Sequence, residues 1–291
     1  DYTTALVDDG PDVKYRGVFI NDEEYANKWA SAKFPKDANG RTPEVNYYRH
    51  LFELILRMKG NTLWPAMHSC STAFNMATED GTPTGTPINA KEAAKYGVVA
   101  ASAHCEMLLR NNVSEWYTFY ENNKNRSELE WDGNSFDYSR NKKAILEYWR
   151  QRLQANKNFE SILALGLRGI HDGEAAFTRN NKFGFKNRVD MQKDVVMEQR
   201  KLIAEVYGED KVDQIPQVFI PYKDMASVYN GGLNQLLMEK GDRDVNGDGK
   251  IDKTDKFDDV MLMWAEDNYG NVRQVPNAQE LSREGGAGVY Y

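Results

Sequence analysis

The chain has 291 residues, a formal net charge of −7 and a pI near 5.3. That length allows one large domain or two ordinary ones, and the acidic balance argues against nucleic acid as a partner, since binding it needs a basic footprint. A mean hydropathy of −0.72 and the lack of a long apolar run give no segment that would cross a membrane.

The first 17 residues, DYTTALVDDGPDVKYRG, hold no basic-then-apolar leader, so a mature or excised segment is expected. Residues 15–20 (YRGVFI) read as a strand running into Asn21, Asp22, Glu23 and Glu24. Residues 46–59 carry apolar side chains at 47, 48, 51, 52, 54, 55 and 58, a helical spacing that Gly60 can stop. Residues 61–67 form a short strand through Trp64, and 76–89 a loop rich in Gly, Thr and Pro. A short helix (90–96) leads to a strand (97–102) that delivers His104, Cys105 and Glu106. Residues 113–137 read as irregular, with Trp116, Tyr117, Tyr120 and Trp131 among Asn and Glu, and 141–156 as an amphipathic helix.

The clearest signal is 161–174, SILALGLRGIHDGE. Its short continuous apolar run reads as a strand buried on both faces. Arg168, His171, Asp172 and Glu174 follow at once, and groups of that kind are costly to bury together. The strand is therefore expected to stop at the floor of a polar pocket. The longest helix follows (189–207), then a strand (216–221) ahead of Tyr222, Lys223 and Asp224. Another strand (259–265) precedes Glu266, Asp267, Asn268 and Tyr269, and residues 287–291 form the seventh.

Seven strands alternating with helices predict βα units around a parallel sheet. Polar residues gather after the strands' C-terminal ends, where a (β/α)8 barrel builds its active site. Open doubly wound sheets bind ligands there too, but no GxGxxG or GxxxxGK[ST] loop follows the first strand. The expected fold is α/β, a TIM (β/α)8-type barrel incomplete at its C-terminal end. It would form a single catalytic domain over 1–291, with an insertion at about 241–257.

That insertion reads D-V-N-G-D-G-K-I-D-K-T-D over 244–255. An EF-hand loop sets oxygen ligands at positions 1, 3, 5, 7, 9 and 12 and a glycine at 6. Here those are Asp244, Asn246, Asp248, the Lys250 carbonyl, Asp252 and Asp255, with Gly249 at the turn and Ile251 facing inward. A structural Ca2+ is expected, weakened by Asp in place of the usual bidentate Glu at position 12, and no organic cofactor. A solvated acidic loop is the alternative. A dockerin would need two such loops, and one is present. Cys70 and Cys105 fit neither a disulfide framework nor a zinc spacing.

At the strand ends stand Asp22, Glu23, Glu106, Asp172, Glu174, Asp224, Glu266 and Asp267 against the cations Arg168 and Lys223. Asn21, Trp64, His104, His171, Tyr222, Asn268 and Tyr290 add hydrogen-bonding and stacking groups. The chain's 6 Trp and 16 Tyr suit sugar faces stacking on rings, as well as a large aromatic core. Many carboxylates, aromatic walls and no nucleotide loop suit a glycosidase, which needs one carboxylic acid for the leaving oxygen and one carboxylate for water or C1. Crowding keeps one of them protonated near neutral pH. Arg168 is placed either to fork a substrate carboxylate or to pair internally with Asp172.

Several blocks in order resemble glycoside hydrolase family 115, the xylan α-1,2-glucuronidases: KYRGVFINDEE (14–24), RHLFELILRMKGNTLWPAM (49–67), KYGVVAASAHCEMLLR (95–110), NKNFESILALGLRGIHDGE (156–174), IPQVFIPYKD (215–224), WAEDNYGNVRQVP (264–276) and GGAGVYY (285–291). The resemblance implies a TIM-barrel catalytic domain within a longer, secreted or periplasmic multidomain protein. It implies inverting removal of (4-O-methyl-)glucuronic acid from xylan or xylo-oligosaccharides, with the protein's other domains as partners and a homodimer left open. By matching position, Asn21, Asp22, Trp64, His104, Arg168, Asp172 and Asn268 surround the sugar, and Tyr222 and Asp224 fall on a Tyr–Lys–Glu block. Asp224 or Asp172 would be the general acid and Asp22 or Glu266 the base, with Arg168, His104 and Asn268 on the uronate. Three positions depart from the pattern: Asp224 stands for Glu, Glu266 for Asp, and Cys105 for a second His. The two altered carboxylates motivate an alternative, a non-catalytic carbohydrate-binding barrel.

Overall fold

The computed structural model describes residues 10–21, 25–34, 45–65 and 74–291. Seven strands form one sheet in sequence order: β1 (Gly17–Phe19), β2 (Thr62–Trp64), β3 (Val99–Ala101), β4 (Ser161–Leu165), β5 (Gln217–Phe219), β6 (Met261–Ala265) and β7 (Ala287–Tyr290). Each adjacent pair is parallel, for instance with Gly17 opposite Thr62 and Leu163 opposite Gln217. Parallel neighbours need crossovers. Helices α1 (Tyr25–Lys33), α2 (Val45–Arg57), α3 (Ile88–Tyr96), α4 (Asn112–Asn123), α5 (Tyr138–Asn156), α6 (Arg188–Tyr207) and α7 (Asp224–Val228) lie in them.

The sheet is strongly curled. In a flat sheet, strands spaced about 4.8 Å apart would set β1 and β7 roughly 29 Å from each other. Instead the rings of Phe19 on β1 and Tyr290 on β7 have centroids 5.8 Å apart, and Trp64 on β2 lies 5.4 Å from Tyr290. The two edge strands do not pair. A groove of about 480 Å3, lined by Gly17, Val18, Met263 and Val289 among others, opens between them. Among the described residues the sheet is thus a curled, open one and not a closed eight-stranded barrel.

Strands β2 to β5 are buried at every residue, as their apolar runs predict. Helices α5 and α6 cover this part of the sheet with Ile145, Trp149 and Leu153, and with Val195, Val196 and Ile203, all fully buried. Asp137 caps α5 by accepting from the Ser139 N–H, and Asn187 caps α6 through Asp190 N–H.

One segment corrects the sequence reading. Residues 112–123 are helical, not irregular. Asn111 caps the helix by accepting from Ser114 N–H, and Trp116 and Phe119 turn into the core. Polarity hid it, because Asn112 and Glu115 are polar yet turn inward. Glu115 is buried, 2.7 Å from an Arg110 nitrogen and 2.5 Å from an Arg152 nitrogen.

Candidate active site

The site begins with how the chain leaves β4. Beyond Leu165 the backbone has no strand partner, and two buried glutamines of α6 take that place. Gln199 accepts from Gly166 N–H and donates to Gly166 C=O, both at 2.8 Å. Gln192 accepts from Leu167 N–H at 2.9 Å and donates to Leu167 C=O at 2.7 Å. Backbone groups buried this deeply must be paired. Gly166 itself has φ +102°, and a Cβ there would press on Met225 and Phe219, so glycine is required. The result is a rigid exit that aims Arg168 across the top of the sheet.

Arg168 is 1% exposed and bridges two carboxylates. Its Nη2 donates to Asp172 Oδ1 at 2.8 Å and to the Asp172 carbonyl at 2.6 Å, and its Nη1 donates to Asp224 Oδ1. The other Asp172 oxygen accepts from Lys223 Nζ, and His104 Nε2 lies 3.1 Å from Asp172 Oδ1. The His104 ring meets the Tyr222 ring edge-on at 4.4 Å, and the Tyr222 hydroxyl donates to Asn268 Oδ1 at 3.1 Å. Tyr290 extends this wall to Trp64 and Phe19. Glu266 accepts from Gly270 N–H at 2.8 Å at the rim. The folded chain therefore gathers Arg168, Asp172, Asp224, His104, Tyr222 and Asn268 into one network. Asn21 sits exposed just past β1, Asp22 and Glu23 lie outside the described residues, and Glu174 pairs with Arg188 instead of joining the network.

Three residues in the loops after β4, β5 and β6 hold left-handed backbone: His171 (φ 57°), Lys223 (φ 52°) and Asn268 (φ 66°). Asparagine tolerates this conformation, but lysine and histidine do so at a cost, and such strain persists only where the surroundings impose it. Side-chain spacing alone gave no sign of it.

The two central carboxylates are driven in opposite directions. Burial would raise Asp172, but hydrogen bonds from His104 and Lys223 and the nearby Arg168 charge outweigh it and hold the carboxyl far below the usual range. Burial pushes Asp224 above its ordinary value against the pull of Arg168. Environments that separate two neighbouring carboxyls in this way also separate their chemical roles.

The sequence profile of glycosyl hydrolase family 115 matches residues 8–291. The chain belongs to that family. A solved family 115 structure, BtGH115A, described as a 4-O-methyl-α-glucuronidase with specificity for decorated arabinogalactans, superposes with a TM-score of 0.72 at 33% identity. The match covers 97% of this chain and 31% of that one, so the chain spans about a third of the relative's length. No curated protein sequence matches.

Two places in this family 115 chain offer metal-type donors. Ligand atoms of His104, Cys105 and Asp172 lie within 4.8 Å of one another, but Arg168 and Lys223 on the same carboxylate oppose a cation there. In the 244–255 loop, Asp244 accepts from Gly247 and Gly249 N–H at 2.7 and 3.0 Å, Asn246 from Asp248 at 3.1 Å, and Asp248 from Lys250 at 2.9 Å. Asp252 accepts from Thr254 N–H at 2.7 Å, and the fully buried Asp255 accepts from Val245, Asn246 and Asp252 N–H groups. Ile251 does not face inward: it is 62% exposed, because no second loop pairs with this one to cover it among the described residues.

Proposed function

We propose that this chain carries the catalytic site of an α-glucuronidase that removes (4-O-methyl-)glucuronic acid from the side chains of a plant-type polysaccharide, with inversion at C1. The observation that carries the reading is the Arg168-centred pair: Asp172 held ionised and Asp224 raised by burial, beside the aromatic wall of Trp64, Tyr222 and Tyr290. Family membership and a glucuronidase relative support it. In this scheme Asp224 protonates the glycosidic oxygen. Asp172, fixed as an anion, supports positive charge developing on the sugar ring. Glu266 or Asp22 activates the water, and inversion calls for acid and base about 6.5–9.5 Å apart. Asn21, Trp64, His104, Tyr222 and Asn268 contact the sugar, and Arg168 acts through the two carboxylates it holds. The closed form of the fold in this reading is a (β/α)8 barrel, with the eighth strand in the groove between β7 and β1. A polymeric substrate goes with a secreted or periplasmic site of action.

Xylan is the polymer the sequence blocks suggest, and the relative's decorated arabinogalactans supply a second. The full-length protein, incubated with each, is expected to release the free uronic acid from at least one as the inverted anomer, seen by NMR at early times. Asp224→Asn and Arg168→Ala serve as controls. A folded protein that binds the polymers yet releases nothing would favour a carbohydrate-binding barrel, the reading that the shortened Asp224 and lengthened Glu266 motivate.

We also infer a structural Ca2+ in the 244–255 loop. The donor set fits, being oxygen throughout at EF-hand spacing. The Asp252 carboxylate lies against that of Glu209 and pushes it up, a repulsion that a cation would relieve. Calcium titration of metal-stripped protein by calorimetry tests this: one site lost in Asp248→Ala supports it, and no heat in the parent protein removes it.

A further inference from the structure

A uronide must bring its own carboxylate into a site already crowded with carboxylates, so some cation must receive it. Arg168 is the obvious choice by charge and a poor one by geometry. Nη1 and Nη2 are committed to Asp224 and Asp172. Nε is buried and has no hydrogen-bond partner, where no substrate atom reaches it. At 1% exposure, Arg168 can reach a sugar carboxylate only by abandoning one of the two aspartates, which leaves a partly buried charge unpaired.

Lys223 differs in each respect. Its side chain is 44% exposed, and Nζ gives one contact to Asp172 Oδ2, so two of its three N–H donors remain for an incoming group. Nζ also lies 5.2 Å from the centre of the Tyr222 ring, which His104 meets as well. The backbone is strained by this placement: φ 52° and ψ −124° are sparsely populated for any residue with a Cβ. The strain sits immediately before Asp224, the first residue of α7. One strained peptide thus sets both a candidate acid and an exposed cation at the same edge of the pocket.

We propose that Lys223 is the specificity-determining residue that receives the carboxylate of the sugar, while Arg168 orients Asp172 and Asp224 without touching it. The inference rests on the uronide reading above and goes beyond it by naming the group that distinguishes a uronic acid from the neutral hexose. Asp172 then has a second purpose. It holds the lysine in place until the substrate arrives, and shares it afterwards.

The test is sugar binding by the full-length protein, measured by calorimetry with free glucuronic acid and with glucose, for the parent, Lys223→Met and Lys223→Arg. A charge-assisted hydrogen bond lost without disturbing the rest of the site lowers affinity by roughly 10- to 100-fold. Lys223→Met is expected to lose that factor for glucuronic acid, to bind glucose as the parent does, and to unfold at the parent's temperature. Lys223→Arg is expected to recover most of the preference. If Lys223 merely holds Asp172, Lys223→Met would keep the uronate preference and shift only the pH profile of turnover, and the assignment fails. If the parent protein binds the two sugars alike, the uronide reading and the lysine assignment fall together.

Discussion

The chain holds two clusters of aspartates, and they are satisfied in different ways. Around β4 and β5, Asp172 and Asp224 are held by side-chain nitrogens: those of the cations Arg168 and Lys223 and the imidazole of His104. In the 244–255 loop, Asp244, Asp248, Asp252 and Asp255 are held by backbone N–H groups of the loop itself. Backbone donors orient a carboxylate without cancelling its charge, so the loop keeps an accumulated negative potential that a divalent cation would neutralise. The site cancels its charge internally and can instead set two carboxyls at different proton affinities. The same residue type thus keeps its charge in one place and has it balanced by neighbouring side chains in the other.

The largest effect that separates the two clusters is on turnover. Asp224→Asn keeps an acceptor for Arg168 but removes the transferable proton, and kcat is expected to fall about 10²- to 10⁴-fold with the unfolding temperature little changed. The corresponding change in the loop, Asp248→Asn, is expected to leave kcat within about twofold at 25 °C. An Asp224→Asn variant with more than about a tenth of the parent kcat would mean that the site's charge pattern does not mark the acid.

Arg168→Ala comes next, because it damages both stability and activity. Removing the guanidinium leaves two half-buried carboxylates facing each other. Breaking a buried pair costs about 3–5 kcal/mol, and about 2–3 kcal/mol is expected here because Asp172 and Asp224 keep partial access to water. Denaturant unfolding measures it. A loss below about 1 kcal/mol would show that the network is solvated and does not organise the site.

How far the sequence discloses these clusters follows from what each depends on. The loop is legible because all of its donors come from twelve consecutive positions, and spacing along the chain is the whole signal. Strand β4 is legible for a related reason: burial on both faces leaves an unbroken apolar run. The Arg168 network is only half legible. Asp172 is four residues away and suggests itself, whereas Asp224 lies 56 residues on, and only the parallel pairing of β4 with β5 brings it near. Gln192 and Gln199 read as ordinary surface residues of a helix, since nothing local shows that the backbone beyond β4 lacks partners. The hidden helix α4 fails in the same way, because its Glu115 is buried against Arg110 and Arg152 from outside the helix. Asp22 lies outside the described residues, so of the two candidate bases only Glu266 has surroundings that can be described.

If the loop holds the proposed Ca2+, its removal is expected to have a smaller effect than the site variants and to act on stability alone. A ligand present at a thousand times its Kd stabilises by about 4 kcal/mol, worth roughly 8 °C in a domain of this size. Near the end of the loop the Lys253 carbonyl accepts from Arg200, and Arg200 also holds Asp259 at 2.6 Å, just before β6. Chelation is therefore expected to lower the unfolding temperature and loosen β6, with kcat at 25 °C nearly unchanged. Equal unfolding temperatures in excess EDTA and in excess Ca2+ would remove the metal from the account.

The smallest effect is the pH dependence of stability, and its sign differs between the two aspartates of the site. Asp172 has a folded pKa depressed below its unfolded value of about 3.9, so the folded state favours its charged form. Its contribution to stability is complete above about pH 4 and is lost as the pH falls through the folded value. Asp224 has a folded pKa raised above its unfolded value, so its contribution is present below about pH 4 and is lost as the pH rises through the folded value. Measured against the parent, Asp172→Asn should thus be most destabilising at neutral pH, with the difference shrinking on acidification below about pH 4. Asp224→Asn should do the reverse, costing most in acid and becoming neutral or mildly stabilising towards pH 7. If the two site variants instead show parallel pH profiles, burial at Asp224 and the His104 and Lys223 contacts at Asp172 do not divide the carboxyls, and the assignment of Asp224 as the proton donor loses its physical basis.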